Sequence, residues 1–112
     1  MAKYTRQLTG DFGTLLHSVE QGILGGSVSA SLEDSADYQT GDVRVAVRVF
    51  ERYSAMGANR VSLSVTLVGH GDNLFITGIT SGGSQAVFFK INTFGEEAFL
   101  DRFREIVDRS QP

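Results

Sequence analysis

The chain has 112 residues, of which 41% are hydrophobic and 21% are charged, and its ten Lys and Arg residues against 13 Asp and Glu residues give a net charge of −3. These values are typical of one folded domain, because a disordered chain has fewer apolar residues and more net charge. They exclude a two-domain enzyme with a large cleft. The negative net charge argues against nucleic acid as a partner.

The cellular setting is predicted from what the sequence lacks. It has no cysteine, which excludes disulfides, thiolate metal sites and thiol nucleophiles. Met1 to Arg6 is not followed by the apolar segment of a signal peptide. No apolar run approaches the roughly 20 residues of a membrane span. We therefore expect a cytoplasmic protein without a membrane partner.

The first third of the chain predicts a strand, a helix and a second strand. Lys3 to Thr9 predicts a short strand. Asp11 is suited to cap the helix that follows, and Gly25–Gly26 ends that helix. Apolar residues at helical spacing form one side of the helix, namely Phe12, Leu15, Leu16, Val19 and Ile23. Alternating residues then predict a strand at Ser27–Glu33, and the polar residues 34–41 predict a loop.

The rest of the chain predicts four strands and a second helix. Alternation places the strands at Asp42–Tyr53, Arg60–Gly69, Leu74–Thr80 and Gln85–Asn92, with turns at His70–Asn73 and Ser81–Ser84. Thr93 begins the helix, because Thr93 and Glu96 have the capping-box spacing. Its buried side is predicted to be Phe99, Phe103, Ile106 and Val107. Residues 1–112 are thus predicted to form a single α+β domain, with an antiparallel twisted sheet of five to six strands and two helices packed on one face.

The two hairpin turns predict which side chains share a face of the sheet. A turn at Gly71–Asp72 places Leu67 opposite Ile76, and a turn at Gly82–Gly83 places Ile76 opposite Phe89. We expect the helices to cover Leu63, Val65, Leu67, Leu74, Ile76, Val87, Phe89 and Ile91. The second face is predicted to hold Phe50, Val68, Phe75, Ile79, Ala86 and Phe88, with Arg44, Arg48, Arg52 and Lys90 alongside. Since soluble monomers rarely expose so large an apolar patch, we expect a second copy, a ligand or the N-terminal segment to cover it.

Two segments, residues 59–69 (NRVSLSVTLVG) and 81–97 (SGGSQAVFFKINTFGEE), resemble a family of small uncharacterised bacterial proteins, a domain of unknown function. The resemblance covers most of the chain and implies a bacterial cytoplasmic setting, but it brings no activity and no catalytic residues. The order of strand, helix, strands and helix also resembles a trimmed helix-grip fold, the plan of START and Bet v 1-like proteins. Those proteins bind apolar ligands between a curved sheet and a long helix, although fold does not settle function.

Two functions follow from these expectations. The first is a non-catalytic domain that self-associates, as a homodimer, or packs on a partner protein through the second sheet face, with Arg48, Phe50, Phe75, Ile79, Phe88 and Lys90 as interface residues. The alternative is a small apolar-ligand binding protein, with a pocket between sheet and helices lined by Phe89, Phe99 and Phe103. No cofactor, metal site or catalytic residue is predicted. An enzyme that uses His70 or His17 is the weakest hypothesis.

Three further patterns have structural interpretations. Ser81–Ser84 is interpreted as a hairpin turn, because glycine-rich anion-binding loops precede a helix. His70 and Asp72 are neighbours in a tight turn, which is a poor setting for catalysis. Three arginines share one strand face and are interpreted as long side chains that cover apolar surface and pair with carboxylates, rather than as a nucleic-acid contact. These arginines are Arg44, Arg48 and Arg52.

Overall fold

A computed structural model of the chain describes residues 1–53, 59–82 and 89–110, and of residues 89–94 it describes the backbone. Seven elements lie within these residues: β1 (Ala2–Thr9), α1 (Phe12–Gly25), β2 (Ser31–Thr40), β3 (Val43–Tyr53), β4 (Arg60–His70), β5 (Asn73–Gly82) and α2 (Phe89–Arg109). The strands form one antiparallel sheet in the order β1-β5-β4-β3-β2. The predicted α+β fold is confirmed, with five strands.

The core lies between the two helices and one face of the sheet. The β4–β5 hairpin places Leu67 opposite Ile76, as predicted. Both side chains are fully buried, and so are Phe99 and Phe103 of α2. The sheet side of the core consists of Leu8, Ala46, Phe50, Val61, Leu63, Val65, Leu67, Leu74 and Ile76. Sheet and helices thus bury one continuous apolar layer.

Helix α1 begins and ends where the sequence predicts. The Asp11 carboxylate accepts a hydrogen bond of 2.8 Å from the Thr14 backbone N–H. This bond to the helix N-terminus holds the pKa of the Asp11 carboxyl below its ordinary value. At the other end the Gly26 N–H donates to the carbonyl of Ile23, and the predicted buried positions Phe12 to Ile23 face the core.

Strand β2 lies further along the chain than predicted. It spans Ser31–Thr40, so the strand predicted at 27–30 is wrong and the predicted loop at 34–40 is strand. Every side chain of β2 except Ser31 is exposed. An edge strand that is held by the backbone hydrogen bonds of β3 tolerates such a polar sequence. Gly41, at φ 57°, forms with Asp42 the tight turn into β3.

Helix α2 begins four residues earlier than predicted, at Phe89. The predicted strand Gln85–Asn92 is therefore wrong for residues 89–92, while residues 85–88 lie outside the described part of the chain. Phe89 and Ile91 belong to the helix and not to a strand that pairs with β5. The N-terminal strand β1 takes that place beside β5, where Arg6 pairs with Ile76.

The predicted capping box at Thr93 is wrong for the same reason, because Glu96 lies inside α2. Its carboxylate instead accepts a hydrogen bond of 2.9 Å from the Gly82 backbone N–H. It also pairs with the N-terminal amino group of Met1 at 2.7 Å. Glu96 therefore ties the end of β5 and the start of β1 to the helix.

Strand β3 has the opposite orientation to the predicted one. Ala46 pairs with Leu67 and Val47 with Thr66, so the even-numbered residues of β3 face the helices. Phe50 is fully buried and Arg48 is 8% exposed on that side. Their predicted place on the second face is wrong. The reason is the link between β3 and β4: its ends pair Tyr53 with Arg60, which sets odd-numbered residues of β3 opposite even-numbered residues of β4.

Candidate interaction surface

The helices leave one face of the sheet uncovered, and the middle part of its three central strands carries no charged side chain there, whereas Glu51, Arg60 and His70 lie toward the strand ends. We call these twelve residues the open face: Val43, Val45, Val47 and Val49 of β3, Ser62, Ser64, Thr66 and Val68 of β4, and Phe75, Thr77, Ile79 and Ser81 of β5. The four valines are half-buried by their neighbours. Phe75 and Ile79, which the sequence predicts here, are 37% and 38% exposed. The predicted apolar second face therefore exists, with a different set of β3 residues.

Several hydroxyl groups of this face have partners within the sheet. The Thr5 and Thr77 hydroxyls lie 2.8 Å apart, and the Ser62 hydroxyl donates to the Ser81 carbonyl at 3.3 Å. A hydroxyl that already has a partner is less costly to remove from water. The polar residues of the open face are therefore compatible with a dry interface.

On the three central strands, the charged side chains beside the open face lie toward the strand ends. At one end Arg60 pairs with Glu51 and lies 3.5 Å from the Glu33 carboxylate. At the other end His70 Nε2 lies 3.1 Å from an Asp42 carboxylate oxygen. Both His70 and Asp42 are exposed, so this contact forms in solvent, and it involves Asp42 rather than the neighbouring Asp72 of the sequence-based hypothesis. His17 is also exposed, on α1.

Arg48, a predicted interface residue, lies beneath the helix layer and is bound there on several sides. Its guanidinium donates to the Glu20 carboxylate at 2.7 Å and to the Asp37 carboxylate at 3.0 Å. It also donates to the carbonyls of Val47 at 2.9 Å and Ala36 at 3.3 Å. Burial alone lowers the pKa of Arg48, but the hydrogen bonds to Glu20 and Asp37 outweigh it, and the net pKa is raised. Arg48 is thus a structural link between α1, β2 and β3.

The other two arginines of β3 cover aromatic rings on the same side. The Arg44 guanidinium lies 4.2 Å from the Phe12 ring centroid, and that of Arg52 lies 4.4 Å from the Phe99 centroid. Burial, together with the nearby Arg102, lowers the pKa of Arg52. Long side chains that cover apolar surface are therefore confirmed, although on the helix face of the sheet.

The predicted ligand pocket coincides with packed core. Phe99 and Phe103 are fully buried. A Cβ placed on Gly78 would lie only 2.6 Å from the Phe103 ring, so sheet and helix are in close contact at this point. Phe99 and Phe103 are therefore part of the packed core between sheet and helices. The side chains of Phe89 and Lys90, and all of Phe88, lie outside the described part of the chain.

The sequence pattern does not identify the four valines of β3 or Tyr38 of β2 as surface residues. Tyr38 is 64% exposed and lies on the same side of the sheet as the open face, paired with Val45. The valines could be identified from the even number of residues between Tyr53 and Arg60. Once the buried side of β4 is known, this spacing determines which side chains of β3 point to the same face of the sheet. Tyr38 carries no such signal, because its strand reads as a polar loop.

This geometry defines a class of protein: a small α+β fold with a five-stranded antiparallel sheet, helices on one face and an opposite face whose centre is uncharged. A model of DUF6054, a family of unknown function, matches residues 1–111, and the chain belongs to that family. No curated protein matches the sequence significantly. The resemblance to helix-grip proteins is not confirmed. In the described part of the chain, neither helix is long and apolar enough to cross a membrane, and no three potential metal ligands come together.

Proposed function

We propose that this protein is a non-catalytic domain that forms a homodimer by packing its open face against the same face of a second copy. One observation carries the proposal: twelve adjacent residues on three central strands are uncharged, and most are β-branched or aromatic. Such residues are typical of the inner faces of packed sheets. Without a partner, the half-buried valines and the exposed Phe75 and Ile79 side chains would remain in contact with water.

The size of the face supports a stable dimer. The three strands of the open face, about 4.8 Å apart, are together about 14 Å wide, and eight residues at about 3.3 Å each make them about 26 Å long, or about 370 Å². The edge strands β1 and β2 on either side widen the whole sheet surface to about 24 Å. The resulting area, about 600 Å² per copy before side-chain relief is counted, approaches the roughly 800 Å² per partner of a standard interface. Two such sheets pack about 10 Å apart as a sandwich.

The alternative, a small apolar ligand held between sheet and helices, is less well supported. Its proposed walls Phe99 and Phe103 pack fully buried against sheet residues such as Gly78. A ligand there would have to displace well-packed core side chains, at a cost of several kcal/mol. We therefore favour association through the open face.

Size-exclusion chromatography with light scattering tests the proposal. The 12.1 kDa chain should elute with twice that mass at micromolar concentrations. Val47→Asp, at the centre of the open face, should reduce the mass to that of one chain while the far-UV circular dichroism stays unchanged. The matched control Val47→Thr keeps the β-branched shape and should remain dimeric. Phe75→Asp provides a second, more exposed position and should also give monomers.

The outcome that contradicts the proposal is a wild-type chain that stays monomeric at several hundred micromolar. A dimer that persists in both Val47→Asp and Phe75→Asp contradicts it equally, because the contact would then lie elsewhere on the molecule. Urea unfolding of each variant shows whether a lost dimer reflects a lost interface or a lost fold.

A further inference from the structure

One row of side chains crosses the exposed side of the sheet from one edge to the other with opposite charges at its ends. Strand pairing aligns Lys3, Ile79, Ser64, Val49 and Asp34 in this order. Lys3 on β1 and Asp34 on β2 are both exposed, and neither forms an ion pair with another residue in the described part of the chain. Each copy thus presents one positive and one negative charge in the same row on opposite edges, and the Asp34 carboxylate accepts a hydrogen bond of 2.8 Å from the Ser35 backbone N–H.

A second row contains a protruding ring at one edge and a hollow at the other. Strand pairing aligns Gln7, Phe75, Val68, Val45 and Tyr38. The Tyr38 ring stands 64% exposed on β2. A cavity of about 620 Å³ opens at the β1 side of the row, with Gln7, Phe75 and Val68 in its wall. The Tyr38 ring and one wall of this open hollow therefore lie in the same row toward opposite edges, and the hollow extends from the row to His70 and Asn73 at the end of the sheet.

Face-to-face packing of two identical sheets allows two simple positions of the two-fold axis, both in the plane between the sheets. An axis along the strands keeps the height of every row and places β1 of one copy over β2 of the other. An axis across the strands places β1 over β1 and reverses the order of the rows. The two arrangements bury similar areas but bring different edge residues together.

We propose that the two-fold axis of the dimer runs along the strands. Lys3 then meets the partner's Asp34, and Asp34 meets the partner's Lys3, which gives two symmetric ion pairs at the rim. Tyr38 points toward the hollow beside the partner's Gln7. With the axis across the strands, Lys3 would face the partner's Gln7 and Asp34 would face the partner's Tyr38. That arrangement leaves both charges without a counterion.

The distances allow the ion pair. Packed sheets cross at about 30°, which displaces a residue such as Lys3, about 12 Å from the centre of the face, by about 6 Å, and the sheets lie about 10 Å apart. The four-carbon stem of lysine spans much of this separation and adjusts its direction at little cost. The inference rests on the proposed function, since it specifies how the two open faces meet.

Charge reversal, read out as the dimer dissociation constant by analytical ultracentrifugation, tests the arrangement. Lys3→Glu alone and Asp34→Lys alone should each raise the dissociation constant about tenfold, because each places two like-charged pairs at the rim. The double variant Lys3→Glu/Asp34→Lys should return to within about threefold of the wild type. Asp34→Lys alone is the critical variant: it lowers the net negative charge, so general repulsion between copies would predict tighter association.

Gln7→Glu is the matched control on the same strand. With the axis along the strands, residue 7 faces the partner's Tyr38, and we expect Gln7→Glu not to lower the dimer dissociation constant. With the axis across the strands, the new glutamate would form an ion pair with the partner's Lys3, and the dissociation constant would fall. Tightening by Gln7→Glu, or a double variant no better than its parents, overturns the inference. If Val47→Asp still dissociates the dimer in that case, the proposed function stands. A monomeric wild type overturns both.

Discussion

Arg48 shows how much of this fold depends on one charged side chain. Its guanidinium connects α1 to the edge strand β2 through Glu20 and Asp37. It also supplies donors to two backbone carbonyls of the β2–β3 ladder. Removing this nearly buried cation takes the guanidinium donors away from all four acceptors, and we expect a larger loss than for an exposed ion pair.

We expect Arg48→Met to lower the free energy of unfolding by about 2 kcal/mol, less than a fully buried pair because Glu20 and Asp37 are partly solvated. Arg48→Lys keeps the charge but cannot serve four acceptors in different directions, and should lose about 1 kcal/mol. The control Arg109→Met breaks an exposed pair with Glu105 and should lose less than about 0.5 kcal/mol. Urea denaturation measures all three. An Arg48→Met protein as stable as the wild type would refute the structural role.

Asp108 predicts a pH dependence of stability. Its carboxylate accepts hydrogen bonds of 2.5 Å from the Tyr4 hydroxyl and 2.7 Å from Arg6. The bond from Tyr4 holds the pKa of Asp108 below its ordinary value of about 4, and the same bond raises the pKa of Tyr4. Because the folded pKa is the lower one, the stabilisation is complete above pH 4 and is lost as the pH falls through the folded pKa.

Asp108→Asn should therefore lower the urea midpoint most at pH 7, and the difference from the wild type should shrink as the pH falls through the lowered folded pKa, because the wild-type carboxylate is then progressively neutralised. Glu97→Gln, on an exposed site of the same helix, serves as the control and should show no such convergence. Urea titrations at pH 2.5, 4 and 7 provide the comparison. A difference between Asp108→Asn and the wild type that stays constant across this range would exclude the charged hydrogen bond as its cause.

At the scale of elements, the contact between β5 and α2 depends on a glycine. Gly78 faces the helix, and an added Cβ would lie 2.6 Å from the Phe103 ring. Gly78→Ala should lower the free energy of unfolding by about 2 kcal/mol through overpacking, although alanine suits a strand better than glycine. Phe103→Leu should cost less in the Gly78→Ala background than in the wild type, which a double-mutant cycle measures.

Gly25→Ala is the control for this glycine. Nothing lies within 4 Å of the Cβ position there, so the substitution should be neutral or slightly stabilising. An equal response of Gly78 and Gly25 to alanine would show that backbone freedom, and not the closeness of α2, determines the effect at Gly78.

Elements that bury one side are predictable from the sequence, and elements held by backbone contacts are not. Helix α1 and strands β4 and β5 place apolar residues at the period of their own geometry, so their pattern identifies them. Strand β2 buries almost no side chain and reads as a polar loop. The segment before Thr93 alternates like a strand, yet α2 begins at Phe89, so tertiary context overrides the local pattern there.

The sequence predicts that one face of the sheet is left uncovered by the helices, but it predicts only some of the residues on that face. Phe75 and Ile79 follow from the tight turn at Gly71, which fixes the facing of β5 relative to β4. Alternation alone does not show which side of β3 is buried. It shows only that the two sides of the strand differ in composition. Arg48 and Phe50 share a face of β3, and the charge of Arg48 suggests a solvent-exposed position, whereas the Glu20 carboxylate of α1 in fact supplies its partner.

At the scale of the whole molecule, a single layer of helices leaves one of the two faces of the sheet uncovered. Both helices pack on one side, where the buried core is continuous. The opposite side keeps the β-branched and aromatic composition of an inner face. If the second copy supplies the missing layer, the folded state includes an association step, and the stability of the protein depends on its concentration.

The unfolding temperature should accordingly rise with protein concentration. A tenfold increase stabilises a dimer by about 1.4 kcal/mol, or about 0.7 kcal/mol per chain, which for a domain of this size corresponds to a shift of about 3 °C. Val47→Asp, which abolishes the proposed contact, should melt at a lower temperature that does not change with concentration, whereas Val47→Thr should behave like the wild type. Differential scanning calorimetry measures the unfolding temperature of each variant between 10 and 1,000 µM, a range of roughly two decades in concentration. A wild-type transition that is independent of concentration over this range would mean that the valine-rich face is stable in water without a partner.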